Sequence, residues 1–318
     1  MSVSSFLGHY VMLSALPVIS SVLLVLLLGQ VLSRTILPDP QFWQGVSRLC
    51  YWVLFPAMLF KTIAQSDFST LPVDAVLSAL LLGLAAIIIL SYLAGRFVHL
   101  PAADLSSLMQ GSFRHNGFMA LTVISGLYGA PGLALGTLCI AVLVPPSNVV
   151  AVITMVLLNQ RGKQTSIRTL LAKELARNPL IIGILLGLAA KFSPFALPDF
   201  LYVSAGLVGE AALPILLLGV GAGVKISASL TASLKPLVLA VLAKGVLFPA
   251  LLVGFGLIFG VNELALTILA IFGVMPTAVS SYALAQELDG NAPLMAEIIS
   301  LQTLCCLPFL LLWLALVG

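Results

Sequence analysis

Long apolar runs separated by short polar segments make up almost the whole chain of 318 residues. A membrane-spanning helix needs about 20 consecutive apolar residues, and runs of about this length occur repeatedly with short connections. The pattern predicts an all-α polytopic membrane protein with ten transmembrane helices and no soluble domain. The predicted spans are 13–32, 49–64, 75–97, 105–127, 133–158, 175–192, 201–224, 234–261, 264–284 and 294–317.

Two of these runs contain polar residues near their centres. Arg114, His115 and Asn116 follow one another within the fourth span, and Gly117 comes directly after them. An Arg at mid-bilayer costs about 2.5–3.5 kcal/mol on insertion scales, so its side chain must face a water-filled cavity or a partner. The stretch 274–282 interrupts the ninth span in the same way, with a Pro, a Thr and two Ser. We expect both helices to break here, because Gly and Pro let the backbone open.

The two halves of the chain resemble each other. Pro56 in the second span matches Pro214 in the seventh, and the segments 129–134 and 291–296 match after the fourth and ninth spans. These matches place the two interruptions at equivalent positions of two five-helix units. Because five is odd, the second unit is inserted with opposite orientation, an inverted repeat typical of secondary transporters. The units predicted are a first repeat, 1–158, a cytoplasmic linker, 159–174, and a second repeat, 175–318.

Composition agrees with a membrane protein and excludes several functions. Apolar residues make up 61% and charged residues 8% of the chain, with a mean hydropathy of +1.18, whereas a soluble domain carries roughly 25% charge. The net charge of +3 is spread over loops, which excludes a nucleic-acid partner. The chain lacks HExxH, GxSxG and GxGD, so no enzyme, cofactor or metal site is expected. Its cysteines lie in apolar surroundings and are expected to be buried thiols: Cys50, Cys139, Cys305 and Cys306.

The distribution of Lys and Arg predicts the orientation in the cytoplasmic (inner) membrane. Ten of them lie on one side, against Lys61 and Lys191 on the other, and this excess marks the cytoplasmic side. Both termini are therefore expected to be non-cytoplasmic, with the first span retained. The ten are Arg34, Arg48, Arg96, Arg161, Lys163, Arg168, Lys173, Arg177, Lys225 and Lys235.

The two interruptions carry the chemistry of a binding site for an anion. N-terminal ends of half-helices offer partial positive charge and free N–H groups, which suit a carboxylate. A guanidinium fork, an amide and two hydroxyls add donors. This set favours a small organic anion, a mono- or dicarboxylate. The candidate binding residues are Arg114, His115, Asn116, Asn148, Pro276, Thr277, Ser280 and Ser281.

Purely structural roles are alternatives for several of these residues. Arg114 is either an anion ligand or a structural charge paired with Glu297, and His115 is either a packing residue or a proton carrier. Asn148 serves either the site or contacts between helices. Candidates for ion coupling are His115, Glu210 and Glu297. An anion channel or a transporter-like substrate sensor is the alternative to a carrier.

Short motifs along nearly the whole chain resemble the auxin efflux carrier family, which includes the plant PIN auxin carriers and bacterial organic-acid carriers. The resemblance implies crossing fourth and ninth helices, a scaffold of helices 1, 2, 6 and 7, an elevator-type movement of helices 3–5 and 8–10, and a homodimer. His115 and Gln286 replace a Pro and a Lys of the plant carriers, so an anion such as malonate or malate is expected rather than auxin. The motifs are Arg48, Phe55-Pro56, Ser66-Asp67, Asn116, Arg177-Asn178-Pro179, Gly187-Leu188, Met275-Pro276, Ala285-Gln286-Glu287 and Leu307-Pro308.

Overall fold

Helices account for nearly all the regular structure of the protein. The computed structural model describes residues 17, 20–22, 24–66, 72–159, 169, 176, 178–195, 197–223 and 234–317, and these ranges contain no strand. The predicted linker 159–174, Arg177 and the chain's first residues lie almost wholly outside them. The helices are α1 (Ser20–Arg34), α2 (Pro40–Leu49), α3 (Phe55–Gln65), α4 (Val73–Phe97), α5 (Ala102–Phe113), α6 (Gly117–Asn159), α7 (Pro179–Phe192), α8 (Asp199–Glu210), α9 (Ala212–Gly223), α10 (Leu234–Leu242), α11 (Phe248–Ile258), α12 (Glu263–Val274), α13 (Ser280–Glu287) and α14 (Ala292–Val317).

Several of these helical segments are long and apolar enough to cross a membrane. Among the described residues there are six such segments, and three shorter apolar helices accompany them, namely α1, α7 and α12. The segment Ala102–Asn159 has 58 residues and contains both the fourth and the fifth predicted span. The prediction of an all-α polytopic membrane protein is confirmed, and the count of ten passes in an inverted repeat stays a prediction.

The long helix α6 is bent where the sequence predicts a connection. Gly129 has φ 57° and ψ −143°, a backbone conformation that is essentially restricted to glycine. Pro131 follows two residues later and cannot donate a backbone hydrogen bond into the preceding turn. Gly129 therefore divides α6 into two helical parts, 117–128 and 130–159, that correspond to two predicted spans.

The helices pack in two groups. In the first, α3 packs against α7 and α8, and α9 packs against α2. In the second, α4 and α12 flank α11, while α5 packs against α4, α6, α10 and α14. Helix α6 also contacts α3 and α9, and the stacked rings of Phe55 and Phe118, with centroids 3.6 Å apart, lie at this junction. The first group comes from predicted helices 1, 2, 6 and 7, and the second from the rest.

Glycines allow α1 and α9 to cross at backbone contact. A Cβ atom on Gly29 would collide with the Leu218 carbonyl, and one on Gly221 would collide with the Leu26 carbonyl. Such reciprocal contacts between small residues are a common way to join helices in membranes. The glycine-rich run 218–223 therefore serves helix packing.

Two π-helical turns precede the only Phe-Pro pairs of the chain. Residues Cys50–Leu54 lead into Phe55-Pro56, and Ala243–Leu247 lead into Phe248-Pro249. Proline lacks an N–H and its ring clashes with the carbonyl four residues earlier, so a wider turn relieves the strain. In the second case this carbonyl belongs to Gly245, and Trp313 Nε1 donates to it at 2.9 Å. The indole thus replaces the donor that Pro249 cannot provide.

Candidate functional site: the crossing of two broken helices

Both predicted interruptions are present in the structure. Residues 114–116 separate α5 from α6, and residues 275–279 separate α12 from α13. The helices that lead into them are buried on every face, from Leu105 to Phe113 in α5 and from Ala265 to Val274 in α12. Such all-round burial marks a helix at the centre of a bundle.

The two interruptions are joined directly by backbone and side chains. The Asn116 N–H donates to the Pro276 carbonyl at 2.7 Å, which connects residues 160 positions apart in the sequence. The Thr277 hydroxyl lies 3.0 Å from the Gly111 carbonyl, in the last turn of α5. The two helix breaks therefore meet at one point, which we call the crossover and define as residues 114–116 and 275–279.

Gln302 on α14 holds the second break in place. Its Oε1 accepts from the Thr277 N–H at 2.9 Å and lies 2.8 Å from the Thr277 hydroxyl. Its Nε2 donates to the carbonyls of Gly111 at 2.8 Å and Ala240 at 2.9 Å. The amide thus ties together the second break, α5 and α10, and all its bonds are buried.

Arg114 is buried at the crossover, and its guanidinium is held from three sides. One nitrogen donates to Gln110 Oε1 at 3.2 Å, and the other donates to Asn148 Oδ1 at 2.9 Å and to Ser280 Oγ at 3.0 Å. Ser280 itself is exposed, so the guanidinium lies near the surface of the crossover. These three acceptors are neutral oxygens that orient the guanidinium.

Asn116 forms the N-terminal cap of α6. Its Oδ1 accepts from the Met119 N–H at 3.2 Å, and its carbonyl accepts from the Ala120 N–H. The N-terminus of α6 therefore begins at the crossover, where the helix dipole places partial positive charge. Helix α13 also begins here, and no side chain caps its N-terminus.

Two further candidates carry polar atoms without a hydrogen-bond partner in the described part of the chain. The Ser281 hydroxyl is fully buried at the start of α13, and both ring nitrogens of His115 are buried as well. The His115 ring packs edge-on against Phe272, with centroids 5.7 Å apart. The structure thus places Arg114, Asn148 and Ser280 in mutual contact, with His115, Asn116, Pro276, Thr277 and Ser281 at or beside the crossover.

The acidic coupling candidates lie on other helices. Glu210, at the end of α8, has an exposed side chain and forms an ion pair with Lys61 at 3.7 Å. Glu297 is half-buried on α14, between the crossover contact Gln302 and the start of that helix. Pro56 and Pro214 stand in the first turns of α3 and α9, where a proline is tolerated.

The sequence pattern missed three residues of this region. Gln110 supports Arg114 from one helical turn earlier, Gln302 supports Thr277, and Lys244 is fully buried on the π turn between α10 and α11. Each lies inside a predominantly apolar span. Such a residue is itself a signal, because a polar group at membrane depth needs a partner in the protein.

Comparison with known proteins assigns the chain to a family. A family described as membrane transport protein matches residues 14–314, nearly the whole chain. No individual curated protein matches it. The chain therefore belongs to the membrane transport protein family of the auxin efflux carriers, and the resemblance inferred from its short motifs is confirmed.

Proposed function

We propose that this transporter moves a small organic anion, a mono- or dicarboxylate similar to malonate or malate, across the cytoplasmic membrane. The observation that carries the proposal is the buried Arg114 guanidinium, which Asn148 and Ser280 hold at the crossover from the two halves of the chain. A guanidinium that is already oriented binds a carboxylate with little further loss of side-chain freedom. A guanidinium that faces the site favours anions over cations.

Other donors of the crossover fit the same ligand. Two helix N-termini, those of α6 and α13, begin beside Arg114 and supply backbone N–H groups. The Ser281 hydroxyl and the Ser280 hydroxyl lie at the start of α13. Together they offer a carboxylate one charged partner and several neutral ones, and Asn116 adds its amide nitrogen.

The packing of the helices suits an elevator-type movement. The crossover belongs to the group of α4, α5, α6 and α10–α14, and its contacts run mainly within this group. The group that contains α3, α7, α8 and α9 meets it chiefly through α6. In the proposed mechanism the group that contains α3, α7, α8 and α9 is the fixed scaffold, and the group that contains the crossover carries the anion through the membrane.

The test is uptake of labelled malonate and malate by proteoliposomes that contain the purified protein. The variant Arg114→Ala should bind and transport the anion about 10–100-fold more weakly, because a hydrogen bond to a charged group contributes about 1.5–3 kcal/mol. Arg114→Lys should retain part of the activity, since it keeps the charge and loses the fork. Arg96→Ala is the matched control, because Arg96 is exposed at the end of α4.

Two results would refute the proposal. Malonate and malate transport that is unchanged in Arg114→Ala would exclude the guanidinium as an anion ligand. Loss of transport in proportion to loss of folded protein would make Arg114 a structural charge. Saturable exchange of internal for external anion distinguishes the carrier from a channel, which gives unitary conductance steps, and from a sensor, which gives no net flux.

A further inference from the structure

Lys244 is a buried cationic side chain that the proposed anion site does not use. It lies on the π turn Ala243–Leu247, near the middle of the span Leu234–Ile258, and is 1% exposed. Its side chain lines a small cleft together with Val274, the last residue before the second break, and Gln302, which bonds to that break. Lys244 therefore stands directly behind the crossover.

The turn that carries Lys244 is built and held by specific contacts. In a regular α-helix the Ala240 carbonyl would accept from the N–H of Lys244, and a π turn shifts this pairing by one residue. Gln302 Nε2 donates to the Ala240 carbonyl, and Trp313 Nε1 donates to the Gly245 carbonyl. Side chains of α14 thus satisfy a carbonyl on each side of Lys244, as is common for π turns at functional sites.

The amine of Lys244 has no hydrogen-bond or ion-pair partner within the described ranges. The Phe248 ring lies beside the amine, with its centroid 4.6 Å from Nζ. A buried ammonium without a counter-charge costs several kcal/mol, and a desolvated cation–π contact returns about 2 kcal/mol or somewhat more, which offsets only part of that cost. A charge on Lys244 therefore needs an anion nearby.

The titratable groups around the turn do not provide this anion. The thiols of Cys305 and Cys306 line the cleft, and His115 at the first break is within electrostatic reach of both Lys244 and Arg114. Helix α11 contributes no titratable residue. The acidic residues on the other packed helices are Asp74, Asp104 and Glu263 in the first turns of α4, α5 and α12, and Glu297 on α14, five positions before Gln302.

We propose that Lys244 carries the proton that accompanies the organic anion. When the anion enters the crossover, its negative charge stabilises the ammonium, and the amine takes up one proton from the water on the side to which the site is open. When the anion leaves, the amine returns the proton to the water on the opposite side. Anion and proton thus travel together, and this inference depends on the anion site proposed above.

The experiment measures proton uptake during binding. Malonate is added to the purified protein in weakly buffered solution with a pH indicator, at pH values at which malonate is fully ionised. The wild type should take up about one proton per malonate bound. In the pH range where this uptake occurs, its affinity for malonate should fall about tenfold for each unit by which the pH rises. Lys235→Met, at the exposed start of α10, is the matched control and should behave as the wild type.

Variants of Lys244 separate its role from a structural one. Lys244→Met should remain folded, since it replaces an unpaired amine by an apolar chain of similar length, and should bind malonate without proton uptake, with an affinity independent of pH. Lys244→Arg, whose side chain stays charged, should also bind malonate without proton uptake. At pH values above the range of proton uptake, Lys244 stays neutral even with malonate bound. The wild-type affinity for malonate should there approach that of Lys244→Met.

The possible failures are distinguishable. Malonate binding by the wild type without proton uptake overturns the role of Lys244 and leaves the anion site intact, even if no variant folds. Proton uptake that persists in Lys244→Met assigns the proton to another residue and also overturns it. If no small carboxylate binds to the wild type at all, the proposed function fails, and the inference fails with it.

Discussion

Replacement of Gln302 by leucine tests whether the crossover is held by its buried amide. Gln302 accepts from the Thr277 N–H and donates to the Gly111 and Ala240 carbonyls. Leucine has a similar volume and makes none of these bonds. The Gly111 carbonyl keeps a donor, because the Thr277 hydroxyl lies 3.0 Å away. The Thr277 N–H loses its acceptor, and the Ala240 carbonyl loses one donor.

The magnitude follows from the Thr277 N–H. A buried polar group that is left without its partner costs about 1–3 kcal/mol, so Gln302→Leu should lower the free energy of unfolding by at least about 1–3 kcal/mol. The control is Gln286→Leu. Gln286 is exposed and donates only to the Tyr282 hydroxyl, at 3.0 Å, so its loss should cost less than about 1 kcal/mol.

A thiol-reactive dye can follow unfolding, because Cys50, Cys139 and Cys306 are buried in the native protein and become reactive when it unfolds. The purified variants are heated in detergent with the dye, and their midpoints are compared. Gln302→Leu should unfold well below Gln286→Leu and the wild type. Equal midpoints for the two leucine variants would refute the assignment of Gln302 as the support of the second break.

Further predictions concern the cap at the crossover and the close packing of helices. Asn116→Asp keeps an acceptor for the Met119 N–H, so its unfolding midpoint should stay near that of the wild type. The added negative charge should strongly reduce malonate uptake. A wild-type uptake rate in this variant would contradict the presence of an anion beside Asn116. Gly183→Ala should destabilise, because its Cβ would lie 2.8 Å from the backbone of Pro56. Gly254→Ala should be neutral or stabilising by up to about 1 kcal/mol, since open space surrounds Gly254 in its helix; the reverse order of unfolding midpoints would contradict this packing.

The sequence was sufficient to locate the two helix breaks, for a local reason. Arg114, His115 and Asn116 cannot lie in lipid, and a Gly or a Pro stands beside each interruption. These signals depend on neighbouring residues alone. They do not depend on how the helices pack, and so a single sequence reveals them.

The partners of the breaks depend on tertiary packing and could not be read in the same way. Gln110 and Gln302 look alike in the sequence, each a glutamine within a predominantly apolar span. Only the packing shows that one supports Arg114 and the other supports Thr277. The π turn at Lys244 is equally hidden, because it requires a shift of one residue in backbone pairing that Pro249 suggests only in retrospect.

The hydrogen bond between the Asn116 N–H and the Pro276 carbonyl has a consequence for how the protein can open. Separation of the two breaks would leave the Asn116 N–H and the Pro276 carbonyl without these partners. It would also break the contact between the Thr277 hydroxyl and the Gly111 carbonyl. Movement of the whole crossover as one unit leaves every one of these bonds intact. The elevator-type movement proposed above would therefore cost less free energy than a separation of the two breaks.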